Sequence, residues 1–238
     1  MACQQSRDVA IVRLLPVLFS IEKHPRLAWF LANQMTDTEL YDLAMLTEPF
    51  LESRPSAKCL LPTLTLRQRF PKPNLLFHSA GDNMENLSFF EFIKCEKYYL
   101  DFCRRQQDSD LDNLAAIIYR PARKKYRPED GDIRQPFNEN VVAARAAAFA
   151  KLPRGAKLAV LLQYTAWREN LVLQFPLVFA PPTDEERGRP NYGWLAVLLN
   201  LAGDKFGDDE QTARKNIYII LAHLQIQLAN KPTQDNER

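Results

Sequence analysis

The chain predicts a mainly α fold: a multi-helix globular protein with a small β-hairpin or extended arm near residues 60–79. Three observations carry the prediction. Glycine is scarce at 7 and proline plentiful at 16 in 238 residues, which suits helices broken by rigid connectors better than sheets joined by tight turns. Apolar residues recur at helical spacing over most of the length. Capping signatures stand at the head of several of these runs. With 46% hydrophobic residues the chain can bury a core, and 25% charged residues give it an ordinary globular surface.

The elements follow in order. Asp8 caps a piece over Val9–Leu15, which Pro16 ends. Pro25 opens Arg26–Asn33 as a first-turn proline. Thr36-Asp37-Thr38-Glu39 is a capping box that launches Glu39–Leu51. Residues 59–79 change character: Thr63-Leu64-Thr65-Leu66 alternates, Pro71-Lys72-Pro73-Asn74 is a turn, and Leu75-Leu76-Phe77-His78 returns. Such a pair needs a third partner or a covering helix. After a loop at Gly81-Asp82-Asn83, Ser88-Phe89-Phe90-Glu91 forms a second capping box for an aromatic helix reaching Cys103. Asp110 or Ser109 caps Leu111–Tyr119, and Pro121 ends it. Residues 121–137 read as a polar loop. Asn138 caps Glu139–Lys151. Pro153 and Gly155 separate it from Lys157–Gln174, apolar around most of its circumference and therefore expected to be central. The charged loop Thr183–Pro190 divides a main helical domain, 1–182, from a C-terminal helical pair, 183–238, expected to pack on it. That pair comprises Asn191–Ala202, ended by Gly203, and Asp209–Asn230, whose Ile217, Ile220, Leu221, Leu224 and Leu228 share one face.

Bulk charge narrows the function classes. A net charge of +2 supplies no global field for nucleic acid or anionic membrane. Val9–Ile21 lacks a basic leader and a cleavage site, and no window has the uninterrupted length of a membrane span, so a cytoplasmic protein is expected. Cys3, Cys59, Cys95 and Cys103 form no C-x-x-C pair, and Cys95 and Cys103 lie too far apart along one helix to bond; reduced, mostly buried thiols are expected.

Chemistry-bearing patterns are few. On the aromatic helix Phe89, Phe92, Ile93, Tyr99, Leu100 and Cys103 share a face, with Lys94, Lys97 and Asp101 opposite. Glu96 falls inside the apolar face, where an ionised carboxylate is costly unless paired. The nearest candidate partner is Arg120 at the end of the next helix, so Glu96 and Arg120 are the expected structural pair; the alternative places Glu96 at a groove edge, in water. Arg120, Arg123, Lys124, Lys125 and Arg127 form a basic run interleaved with Tyr119 and Tyr126. Arg123, Lys124, Lys125 and Arg127 are the candidate nucleic-acid contacts. Against that, Glu129, Asp130 and Asp132 follow at once and offset the charge, which favours a solvated loop. His24, His78 and His223 are isolated from one another and from cysteine, giving no metal-ligand spacing. His223 reads as a core-edge histidine beside Ile219 and Ile226. No nucleophile elbow or glycine-rich phosphate cradle occurs. The expectation is a non-enzyme with no cofactor and no metal. Trp29, Trp167 and Trp194 read as core or interface anchors.

Two segments carry a resemblance. Asn86-Leu87-Ser88-Phe89-Phe90-Glu91-Phe92 is similar to an N-L-T-F-G-E-F helix start, with Phe90 where that pattern has glycine. Leu114-Ala115-Ala116-Ile117-Ile118-Tyr119-Arg120-Pro121 is similar to an L-x-A-I-L-Y-R-P helix end. The Lys-rich loop through Tyr126 and Asp132, Leu152-Pro153, and the Gly193-Trp194-Leu195 and Gly203–Asn230 helices extend the match over roughly residues 36–230. With these motifs the chain resembles proteins of the tail-morphogenesis modules of tailed phages and prophages, those of Bacteroidetes hosts and tail assembly chaperones in general. The resemblance implies a protein-binding factor in the bacterial host cytoplasm that holds a helical, tape-measure-like or tail-tube-like partner, itself a candidate homo-oligomer. The alternatives are a structural tail or virion component and a nucleic-acid-binding adaptor using the basic loop 120–127.

Overall fold

A computed structural model describes residues 58–230 except 68–70, 72, 128, 130, 182–192 and 204, together with Thr36 and Thr38. The chain divides into two compact units, Met1–Arg54 and Pro55–Arg238. The helices expected over Val9–Leu15, Arg26–Asn33 and Glu39–Leu51, with Cys3, His24 and Trp29, lie outside the described residues, as do the loop 183–190 and the tail 233–238.

The second unit is mainly helical, as predicted, with one antiparallel hairpin. Strand β1, Thr63–Leu66, pairs with β2, Leu75–His78, in the register Thr63 to His78 and Leu66 to Leu75. Alternation works as expected on β1: Leu64 and Leu66 turn inward while Thr63 and Thr65 face out. The third partner is a single bridge, where the His78 and Arg120 backbones exchange hydrogen bonds of 2.8 and 3.0 Å. Seven helices follow among the described residues: α1 Phe89–Arg105, α2 Asp108–Ile118, α3 Val142–Phe149, α4 Arg154–Gln174, α5 Gly193–Leu201, α6 Asp209–Ala213 and α7 Ile217–Ala229.

The Ser88 capping box forms in full. The Ser88 hydroxyl accepts from the Glu91 amide at 3.3 Å, and the Ser88 amide donates to Glu91 Oε2 at 2.9 Å. Neither proposed cap of α2 forms. The helix starts at Asp108 without a side-chain cap, and Asp110 is buried against Arg105 at 3.0 Å. Asn138 accepts from the Asn140 amide and opens a short 3₁₀ turn, Glu139–Val141, that leads into α3.

Two readings of helix shape are corrected. The run Asp209–Asn230 is not one helix: it breaks at Asn216, whose side chain caps α7 by accepting from the Tyr218 amide at 2.9 Å. The break lets the chain run beside the head of α1, where the Phe89 amide donates to Lys215 O and the Ile217 amide to Leu87 O. The buried stripe of α1 is also rotated from the predicted face. Cys95 and Phe102 are buried, whereas Leu100 and Cys103 are exposed. Apolar residues on nearly every side of this helix leave the choice of face to its neighbours.

The core is continuous from the hairpin (Leu64, Phe77) through α1 and α2 (Phe92, Leu114, Ile117) to α4 and α7 (Trp167, Leu171, Ile220, Leu221). Trp194 on α5 meets Phe92 and Phe179 at ring distances of 5.1 and 5.6 Å, while Trp167 is fully buried. Cys59, Cys95 and Cys103 are free thiols, of which Cys95 alone is buried. No helix among the described residues is long and apolar enough to cross a membrane.

Candidate functional site

Glu96 and Arg120 are both buried, as expected of a pair, but they do not pair with each other. Glu96 Oε1 accepts from Tyr164 Oη at 2.9 Å and from Arg168 Nε at 2.9 Å, both on α4. Arg120 Nη2 lies 2.8 Å from Glu91 Oε1 and 3.3 Å from Asp132 Oδ2. The correction has a geometric reason. Glu96 lies one and a half turns along α1 from Glu91, and the chain folds Arg120 back to the head of α1, where Glu91 stands.

Glu91 therefore serves two purposes. One carboxylate oxygen closes the capping box, and the other meets a buried guanidinium. The capping pattern was legible in the sequence, but it gave no sign that its carboxylate would also be buried.

Arg134, inside the loop read as polar, is the residue that sequence reasoning missed. It is fully buried. Its Nη1 donates to Ile118 O at 2.9 Å, its Nη2 to Asn86 O at 2.6 Å, and its Nε and Nη2 grip the Asp132 carboxylate at 2.9 Å. Arg145 adds a hydrogen bond from Nη1 to Ala116 O at 2.6 Å. Two arginines thus satisfy carbonyls at the C-terminus of α2, where unpaired acceptors and the helix dipole favour cations. Burial, countered by Glu91 and reinforced by Arg134, lowers the Arg120 guanidinium to about 10. Arg120 still carries its charge at neutral pH. With Phe137 beside Arg120, these ions form a knot that ties the loop around Asp132 and Arg134 to α1 and α2.

The Glu96 cluster behaves differently. Burial raises the Glu96 carboxyl above its ordinary range, outweighing the pull of Arg168 and the hydrogen bond from Tyr164. Burial beside Glu96 also pushes the Tyr164 phenol well up. A third buried pair, Asp112 to Lys157 at 2.6 Å, joins α2 to α4.

A second unpredicted feature lies just after the unit boundary. The segment 58–61 is held by side chains from far along the chain. Gln163 accepts from the Leu60 amide at 2.7 Å and donates to Lys58 O at 3.1 Å. Asp82 accepts from the Cys59 amide at 2.7 Å, and Tyr119 Oη donates to Leu61 O at 2.7 Å. A buried glutamine on an apolar helix is the one sequence signal that could have pointed to this clasp.

The basic run divides. Arg120 turns into the knot, and half-buried Arg123 donates from Nε to Arg134 O at 2.9 Å. Lys124, Lys125 and Arg127 remain exposed at the tip, with Arg127 3.8 Å from Glu129. Asp132, expected to offset this charge, points inward to Arg134 and Arg120.

His223 is half-buried, 3.1 Å from Lys205 Nζ and edge-on to Phe206. Its helical neighbours Ile219 and Ile226 face outward. No group of three metal-ligating side chains occurs among the described residues. No family model, curated protein or solved structure matches this chain.

Proposed function

We propose that the protein is a non-enzymatic morphogenesis factor of the phage-tail type, an assembly chaperone in the bacterial cytoplasm that holds a helical, tape-measure-like partner. The observation that carries the reading is a set of exposed apolar side chains at helical spacing on helices whose inner faces already fill the core. On α4, Leu162 and Leu173 lie eleven residues apart on one side and are 69% and 62% exposed, with exposed Glu169 between them. On α7, Ile219 and Ile226 repeat the pattern seven residues apart. The long helix expected to be central is thus open on one side. Such side chains suit an amphipathic helix laid along the surface, read through apolar anchors at helical spacing. The buried ions support the same reading: each is committed to a backbone carbonyl or an opposite charge, so their arrangement makes the scaffold rigid. The nucleic-acid alternative is weakened by the inward turn of Arg120 and Arg123.

The test is co-expression with the long helical product of a neighbouring gene, followed by affinity capture. Co-purification is expected, with about a tenfold or greater loss of capture for Leu162→Asp/Leu173→Asp at unchanged far-UV dichroism. Failure of the unaltered chain to retain any such partner overturns the proposal. Persistence of the protein in purified particles favours a structural tail component instead.

A further inference from the structure

The turn between the hairpin and α1 is strained. Gly81, Asn83 and Met84 take left-handed backbone angles, with φ of +82°, +49° and +61°. Glycine does so freely, but a side chain there crowds the following carbonyl. Gln106 is the other non-glycine residue of this kind among the described residues, and it ends α1 as a C-cap, where the conformation is ordinary. Asn83 carries a second cost: its Oδ1 is buried without a hydrogen-bond partner. Such a conformation persists only where its surroundings over-determine it.

Those surroundings are supplied by α7. Tyr218 Oη donates to Asn83 O at 2.7 Å and accepts from Asn83 Nδ2. Asn216, which caps α7, donates from Nδ2 to Glu85 O at 2.6 Å. The Tyr218 ring is set in turn by Phe175, with centroids 6.1 Å apart. The turn then holds the segment 58–61. Asp82 accepts from the Cys59 amide, and Ser79 Oγ lies 2.9 Å from Cys59 Sγ while accepting from the Gly81 amide at 3.3 Å. Gln163 and Tyr119 complete the hold through the backbone of Lys58, Leu60 and Leu61. The Leu60 side chain is 72% exposed and adds little burial. A segment secured by hydrogen bonds rather than by apolar contact opens readily when one anchor moves.

We propose that the turn Gly81–Met84 is a latch: the Tyr218 hydroxyl on α7 holds it in its left-handed form, which keeps Asp82 on Cys59, and withdrawal of that hydroxyl releases residues 58–61. Without it, Asn83 relaxes toward the right-handed region and carries Asp82 away from the Cys59 amide. Residues 58–61 follow directly on the boundary between Met1–Arg54 and Pro55–Arg238. The latch therefore sets how firmly the start of the second unit is fastened. Because α7 exposes Ile219 and Ile226 on its outer side, a shift of that helix reaches the latch from the surface. The inference stands on these contacts alone and does not rest on the phage-tail reading.

Amide hydrogen exchange of the full chain, resolved by residue, tests it. Tyr218→Phe keeps the ring against Phe175 and removes the hydroxyl. It should speed exchange at Cys59 and Leu60 by about tenfold or more while the amides of α1, α2 and α4 keep their parental rates. Adding Asn83→Gly to Tyr218→Phe should return both amides to within about threefold of the parent, since glycine holds a left-handed turn without help and removes the unpaired Oδ1. Asp82→Ala should free the Cys59 amide even with Tyr218 intact. Parental exchange at Cys59 and Leu60 in Tyr218→Phe overturns the proposal, as does parental exchange at Cys59 in Asp82→Ala. Faster exchange that the glycine fails to recover also overturns it, because the hydroxyl then opposes no strain. Faster exchange across the whole unit does the same, because it reports lost global stability instead of a local release.

Discussion

Glu96 shows how a single residue can be read correctly for cost and wrongly for partner. The apolar face of its helix predicted an expensive carboxylate, and it is 2% exposed. Its relief comes from Tyr164 and Arg168, some seventy residues along the chain, which no local pattern could reveal. Because burial raises its pKa above the ordinary 4.5, its contribution to stability is complete below that value. It is lost as pH rises through the raised folded value. Glu96→Gln keeps a side-chain acceptor for Tyr164 and removes the titration. Denaturant unfolding across this window should therefore show the decline with rising pH in the parent and a flatter profile in the variant. Glu96→Ala leaves Arg168 without its carboxylate and should cost about 2–3 kcal/mol at neutral pH. Equal, near-zero losses in both variants would remove Glu96 from the packing of α1 on α4. Arg134 marks the limit of residue-level reading. Among Pro, Asp, Arg and Lys it had the surroundings of a solvated residue, and only the return of the loop onto α2 buries it.

At the scale of elements, signals were legible where the deciding contacts are local in sequence. The hairpin and the Ser88 capping box formed as read, and Asn138 caps through a 3₁₀ turn, because each depends on partners between two and fifteen residues away in the chain. The break at Asn216 was hidden, since the run through it is apolar at helical spacing. It is set by contacts with residues 85–89, including a 2.6 Å hydrogen bond from Asn216 Nδ2 to Glu85 O. Ser88 sits at this junction, as cap of α1 and as bridge partner of Asn216. Ser88→Ala should cost about 1–2 kcal/mol, at the upper end for a cap, measured by denaturant unfolding. A change within a few tenths would show that the Glu91 half of the box suffices. Gly81 is the other sensitive position. At φ +82° an added Cβ would stand 2.6 Å from Glu85 Oε1, so alanine there is strained both sterically and in its backbone.

For the molecule, residues 193–230 are bound into the same core as α1 by Trp194 on Phe89 and Phe92 and by backbone bonds from residues 87–89 to 215–217. The transition followed by tryptophan fluorescence should therefore coincide with that followed by far-UV dichroism for Pro55–Arg238. Separated midpoints would mean that the C-terminal helices unfold alone. The sequence by itself determined the helical class, the hairpin, the main caps and the presence of buried charge, because these follow from composition and from periodicity over a few residues. Only the tertiary structure decided which charges meet, which face of α1 and α4 is buried and where the last helix breaks. Those outcomes depend on groups far apart in sequence: each ion takes whichever partner the packed helices bring within 3 Å, and a helix apolar on many sides buries whichever side its neighbours cover.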